Sequence, residues 1–229
     1  MKYEAVIFDL FGTLVDVASK AEYRAWHDRL APVLGVPGDA FHEAWVEAWP
    51  ARYGGDLPTI EACIEHACRA CGREPDPAAV REATRLRIEG VRRWLAPRDG
   101  AVEVLRRARQ AGLKTGLISD CDAGIARVWP ESQLAPLIDA AVFSCIERVR
   151  KPDPRIYRRA CRRLAVRPER CLYVGDGGSR ELSGAARVGM EAVLIRVPYE
   201  DCDTVHRVEE EAWSGRRISS LREGLELIG

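Results

Sequence analysis

Five short apolar runs, Ala5–Phe8, Lys114–Ile118, Ala140–Phe143, Cys171–Val174 and Ala192–Ile195, are set apart by segments long enough to be helices. Runs of this length that stay apolar on both alternating sets of side chains are the mark of strands buried on two faces. Strands recurring with intervening helices predict a parallel sheet covered on both sides, a doubly wound α/β fold. The predicted helices on the way are Ala101–Gln110, Asp122–Val128, Arg155–Leu164 and Ser179–Val188, with Gly112 and Gly189 where helix-terminating glycines belong. A short strand near Arg217–Ile218 and a helix Ser220–Leu227 are expected to close the chain.

Residues from about Asp16 to about Leu95 read differently. Helical periodicity dominates there, and Trp26, Trp45, Trp49 and Trp94 fall in this stretch. Pro32, Pro37, Pro50, Pro58, Pro75 and Pro77 divide it into four or five helices. The expected organisation is an α/β unit of residues 1–15 and 96–229, interrupted by a helical unit of residues 16–95.

In an open parallel sheet, ligands bind beyond the carboxyl ends of the strands. The first run ends in Asp9-Leu10-Phe11-Gly12-Thr13-Leu14, which places a carboxylate there. Later segments bring Leu117-Ile118-Ser119-Asp120, Lys151-Pro152-Asp153-Pro154 and Gly175-Asp176-Gly177-Gly178-Ser179-Arg180-Glu181. Each alone is a weak signal; all four in this order resemble the haloacid dehalogenase-like hydrolase superfamily. The match spans Asp9 to Glu181. A helical insertion directly after the first strand resembles the subfamily with a helical cap over a Rossmann-like core. Such caps exclude water and choose the substrate.

The resemblance implies a magnesium-dependent phosphatase acting on a small phosphorylated metabolite. Asp9 is then the nucleophile that forms an aspartyl-phosphate, and Thr13 fixes its loop. Magnesium lies between Asp9, the Phe11 backbone carbonyl and Asp176, with Glu181 binding through water or orienting Lys151. Ser119 and Lys151 hold the phosphoryl group, assisted by backbone N–H groups of Gly12, Asp120 and Gly177. Transfer of this kind depends on positioning and charge stabilisation.

Phe11 departs from the pattern. Phosphatases of this superfamily carry a second aspartate there, which protonates the leaving oxygen and activates the hydrolytic water. Phenylalanine does neither. General acid–base catalysis is worth roughly 10²- to 10⁴-fold, so the leaving group needs little protonation, Asp120 or a cap residue supplies the proton, or hydrolysis is slow. Phe11 also brings forward a 2-haloacid dehalogenase, in which the carboxylate attacks carbon and no metal is needed. Arg24, Arg52 and the cap tryptophans are then candidates to hold carboxylate and halide. Against this stand Asp176 and Glu181, an acidic pair beside Asp9 that a bound cation would offset. A third reading is a weakly active member that binds phosphate ligands.

Bulk properties add exclusions. Lys+Arg and Asp+Glu are both 35, which does not suggest a general nucleic-acid-binding surface. No run approaches transmembrane length, and with a core strand expected from the first residues no leader is expected. The expectation is a cytoplasmic monomer or homodimer with reduced thiols. Cys63, His66, Cys68 and Cys71 are close enough in sequence to suggest zinc, but thiols buried on an apolar helix stripe are the favoured reading.

Overall fold

The computed structural model describes residues 2–196, 207–209 and 212–227. Its centre is a six-stranded, all-parallel sheet: β1 (Ala5–Phe8), β2 (Lys114–Ser119), β3 (Ala140–Phe143), β4 (Cys171–Gly175), β5 (Glu191–Ile195) and β6 (Arg216–Ile218). The spatial order is β3-β2-β1-β4-β5-β6. The chain therefore winds outward from β1 in one direction and then, from β4, in the other. The reversal falls between β1 and β4, where such sheets open a crevice for ligands. Phe8 pairs with Leu117 on one side and Val174 on the other, which brings the ends of β1, β2 and β4 level.

Alternation along β1 explains its uninterrupted apolar run. Val6 and Phe8 face one core, with Leu117, Val174, Val104 and Leu105. Ala5 and Ile7 face the other, with Ile118, Tyr173, Ile156 and Leu182. The helices on the sheet are α6 (Ala101–Gln110), α7 (Ala123–Val128), α8 (Ser144–Glu147), α9 (Pro154–Leu164) and α10 (Glu181–Arg187). In α9 the buried set Ile156, Tyr157, Ala160, Cys161 and Leu164 recurs at helical spacing, with arginines between. Burying a large apolar side chain such as Leu164 contributes about 1.5–3 kcal/mol, so a charge there would detach this face.

Five helices follow β1: α1 (Lys20–Leu34), α2 (Gly38–Glu47), α3 (Trp49–Gly54), α4 (Ile60–Ala70) and α5 (Pro77–Trp94). They share a core of their own built on Trp26, Leu30, Phe41, Trp45, Ile64 and Val80. The N-caps Ser19, Thr59 and Asp76 each accept a backbone N–H. Pro50 and Pro77 sit in first turns, whereas Pro32 lies inside α1, which ends at the left-handed Gly35. Cys63 and Cys68 face this core, and His66 is exposed on the opposite side of α4.

Two helices start more than one residue away from the sequence expectation. The helix expected from Ser179 begins at Glu181, because Ser179 and Arg180 take left-handed backbone conformations that a helix cannot continue through. The final helix is a 3₁₀ turn, Glu223–Leu227. There Ser219 and Ser220 tie themselves to Glu223 instead of feeding a longer helix.

Candidate active site

Asp9 is the first residue after β1. Its N–H donates to Val174 O at 2.9 Å, which fastens the end of β1 to β4. The chain then turns sharply, with Leu14 N–H reaching Leu10 O and Gly12 N–H reaching Val15 O, both at 2.8 Å. Gly12 has φ of 80°, and a Cβ there would collide with Asp176 Oδ2. Glycine is thus required twice over, by backbone and by the approach of the second carboxylate.

Asp176 follows β4, on the other side of the switch point. Its Oδ1 accepts Gly178 N–H at 3.0 Å and its Oδ2 accepts Arg207 Nε at 2.9 Å. Glu181, fully buried, reaches back from the start of α10. Its Oε1 accepts Gly177 N–H at 3.0 Å, and its Oε2 accepts Tyr173 Oη at 2.7 Å and Lys151 Nζ at 2.5 Å. The Gly177 N–H, expected to face a phosphate, is therefore directed to Glu181. Oxygens of Asp9, Asp176 and Glu181 all lie within 4.8 Å of one another.

Lys151 Nζ bridges Asp9 Oδ1 and Glu181 Oε2, at 2.5 Å each. Burial works to lower its pKa, but Asp9, Glu181 and Asp120 outweigh it and hold the ammonium charged. Asp120 Oδ1 accepts the Lys151 N–H at 3.1 Å, joining the loop after β2 to the lysine loop. Burial pushes the Asp9 carboxyl up to about 6, Lys151 opposes this, and repulsion from Asp176 adds to it. Ser119 Oγ and Thr13 Oγ1 are buried without a hydrogen-bond partner among the described residues. Orphaned hydroxyls of this kind require an explanation, and a ligand beside them is one.

Asp9, Asp120, Lys151 and Asp176 open into a cavity of about 930 Å³, whereas Thr13, Ser119 and Glu181 lie behind its wall. Asp9, Phe11, Asp120, Lys151 and Asp176 line it from the sheet side, and Tyr23, Arg52, Tyr53 and Arg87 from the helical side. Phe11 is thus part of the cavity wall.

The sequence reading missed three cavity residues. Arg207, from a segment without a recognisable motif, pairs with Asp176. Arg87 and Asp122 form a buried ion pair at 2.8 Å, which Arg52 joins at 2.9 Å. Arg24, a candidate alongside Arg52 on the sequence, also lines the cavity but is paired with Asp28 and Asp39. Asp122, expected as the first residue of a helix, is the N-cap of α7, accepting Gly124 N–H at 2.9 Å.

The donor set fits a hard divalent cation. Among the described residues three carboxylates converge, without a thiol or imidazole in the group, and the Phe11 carbonyl is on the same loop as Asp9. The haloacid dehalogenase-like hydrolase profile matches residues 3–189. The chain belongs to that family.

Within the family it is similar to members of two chemistries. A glyceraldehyde 3-phosphate phosphatase from Methanopyrus kandleri is 32% identical, with 87% of each chain covered. An (S)-2-haloacid dehalogenase 4A from Burkholderia cepacia is 26% identical, covering 91% of this chain and 93% of that one. Among solved structures, a 2-haloacid dehalogenase from Pseudomonas syringae superposes with a TM-score of 0.69 at 24% identity, over 99% of this chain and 98% of the other. This last likeness concerns the fold. Among the described residues of this haloacid dehalogenase-like hydrolase, no helix is long and apolar enough to cross a membrane.

Proposed function

We propose that this hydrolase is a magnesium-dependent phosphatase of a small phosphorylated metabolite, working through an aspartyl-phosphate on Asp9. The observation that carries the reading is the convergence of Asp9, Asp176 and Glu181 oxygens within 4.8 Å, beside Lys151, with Asp9, Asp176 and Lys151 lining a large cavity. The phosphatase-named relative at 32% identity supports the same reading.

Asp9, Asp176 and the Phe11 carbonyl would hold the ion, with Glu181 anchoring Lys151 behind them. Magnesium there supplies positive charge that offsets repulsion between the attacking carboxylate and the phosphoryl oxygens. Asp9 attacks phosphorus and the alcohol oxygen leaves; water then cleaves the acyl phosphate and restores the carboxylate. The Lys151 ammonium and the unpartnered Ser119 hydroxyl hold phosphoryl oxygens. Thr13 steadies the turn that carries Asp9. With Phe11 in place of an acid, substrates whose leaving oxygen needs little protonation are favoured, such as acyl phosphates or activated esters. Residues 16–95 act as the cap that closes the cavity from water. The free cysteines accord with a reducing, cytoplasmic setting.

A carbon–halogen hydrolase is the second reading, and one structural feature favours it. Asp176 and Glu181 each already carry a cationic partner, Arg207 and Lys151, so the acidic group does not depend on a metal for all its neutralisation.

The deciding experiment is phosphate release from p-nitrophenyl phosphate with magnesium or with EDTA, run beside chloride release from 2-chloropropionate. Magnesium-dependent phosphate release is expected. Metal-independent chloride release without phosphatase activity would overturn the proposal and make Asp9 a carbon nucleophile.

A further inference from the structure

Arg52 and Arg87 come from different helices, α3 and α5, and end on the same atom. Arg52 Nη1 and Arg87 Nη2 both donate to Asp122 Oδ2, at 2.9 and 2.8 Å. The other oxygen of Asp122 is taken up by the start of α7. One carboxylate thus faces two guanidinium groups, and the side chains are only 2%, 3% and 4% exposed for Arg52, Arg87 and Asp122. A surplus positive charge is left buried.

Aromatic faces offset part of that charge. The Arg87 guanidinium lies 4.3 Å from the Trp26 ring and 4.8 Å from that of Trp94, and Arg52 lies 4.5 Å from Trp45. They do not complete the hydrogen bonding. Arg52 Nε and Arg87 Nη1 are buried without a partner among the described residues. Buried charge is ordinarily paired and buried N–H groups ordinarily bonded. Both arginines line the cavity that holds Asp9. The cavity lining also includes Lys20 and Arg24, the latter already paired with Asp28 and Asp39, so Arg52 and Arg87, sharing the one carboxylate of Asp122, are the under-neutralised pair.

We propose that the substrate carries a second anionic group besides its phosphoryl group, and that this group docks on Arg52 and Arg87. The inference rests on the phosphatase reading. The phosphoryl end meets Lys151 and Ser119 on the sheet side, and the second oxyanion meets the guanidinium pair on the helical side. Planar guanidinium forks suit either a carboxylate or a second phosphate. A cavity of about 930 Å³ accommodates a molecule of metabolite size.

The test measures binding, separately from turnover. Asp9→Asn protein with magnesium is titrated calorimetrically with ethyl phosphate, 2-phosphoglycolate and 1,3-propanediol bisphosphate. At least one two-anion probe is expected to bind about tenfold or more tighter than ethyl phosphate. The tighter of the two identifies carboxylate or phosphate as the second group. Adding Arg87→Gln should bring the ratio towards one, and Arg87→Lys should restore part of it. Equal affinity for all three probes overturns the proposal, and needs no arginine variant. So does an equal loss for all three in Arg87→Gln, which would make the triad only a fastening between helices and sheet. The phosphatase reading is judged apart, by phosphate release from p-nitrophenyl phosphate in the unmodified protein. Selective binding without release would keep the anion site and remove that reading.

Discussion

Asp9 and Lys151 are separated by 142 positions in the chain and joined by a 2.5 Å hydrogen bond in the fold. Asp9 ends the central strand, and Lys151 lies in the loop before α9, held there by Glu181 and by Asp120 through its backbone. The proposed nucleophile is thereby kept beside a cation that favours its ionised form, against the burial that pushes its pKa up to about 6.

Replacing Asp9 with Asn removes the attacking carboxylate while preserving shape. Loss of a nucleophile lowers turnover by roughly 10⁴- to 10⁶-fold. The same loss is expected here, with circular dichroism and the melting temperature still those of a folded protein. Turnover within about tenfold of the parent would remove Asp9 from the chemistry.

Phe11→Asp restores a carboxyl on the cavity wall. If protonation of the leaving oxygen limits the rate, hydrolysis of ethyl phosphate should rise by about 10²- to 10⁴-fold and that of p-nitrophenyl phosphate far less. Comparable gains for both would show that another cavity residue already supplies the proton.

Glu181→Gln takes from Lys151 a carboxyl partner whose pKa burial and repulsion from Asp9 push well above the usual range while Lys151 opposes them, and it alters the clasp on Gly177 N–H. Removing one partner of a buried ion pair costs about 3–5 kcal/mol. In a chain of this size that is a fall in melting temperature of about 6–20 °C. A variant as stable as the parent would mean that Glu181 is protonated and the pair uncharged.

Arg207 occupies one oxygen of Asp176. A divalent ion binding Asp176 must compete with that guanidinium. Arg207→Gln should therefore shift the magnesium dependence of the melting temperature to concentrations lower by about fivefold or more. An unchanged or weakened magnesium response would place the ion away from Asp176.

His27 predicts an acid sensitivity. It is fully buried, its Nδ1 lies 2.8 Å from Nδ1 of His42, and burial, then repulsion from His42 and nearby arginines, pushes its pKa down to about 2. In the unfolded chain an imidazole titrates near 6.5. Below that pH the unfolded state takes up a proton that the folded state does not, so stability falls as pH falls. Between pH 7 and 5 the loss from this group is about 2 kcal/mol. Urea unfolding of the parent and of His27→Gln checks it. The stability difference between them should narrow by that amount on acidification, and a constant difference would sink the argument.

The sheet was legible because its signal is local. Ile7 and Phe8 face opposite cores, so both are apolar, and β1 is where the sequence predicts it, as are β3 and the body of β2, β4 and β5. That Asp9, Ser119 and Asp176 stand at the carboxyl ends of strands was legible for the same reason, each lying immediately after or at the end of such a run. The start of α10 was not, since nothing in Ser179-Arg180 signals a left-handed backbone. Helix patterning also gave no sign of how Arg52, Arg87 and Asp122 would meet.

What the amino-acid order alone determined is the doubly wound core, the helical insertion after β1, and which side chains stand at the carboxyl ends of the strands. Periodicity of burial and turn chemistry act over a few residues, and that range suffices. The tertiary structure decided which charges meet. Lys151 between Asp9 and Glu181, Arg207 on Asp176, and two guanidinium groups on Asp122 join segments from 30 to 142 positions apart. Charge pairing depends on distance in space and on exclusion of water, and both exist only once the helices have closed over the sheet.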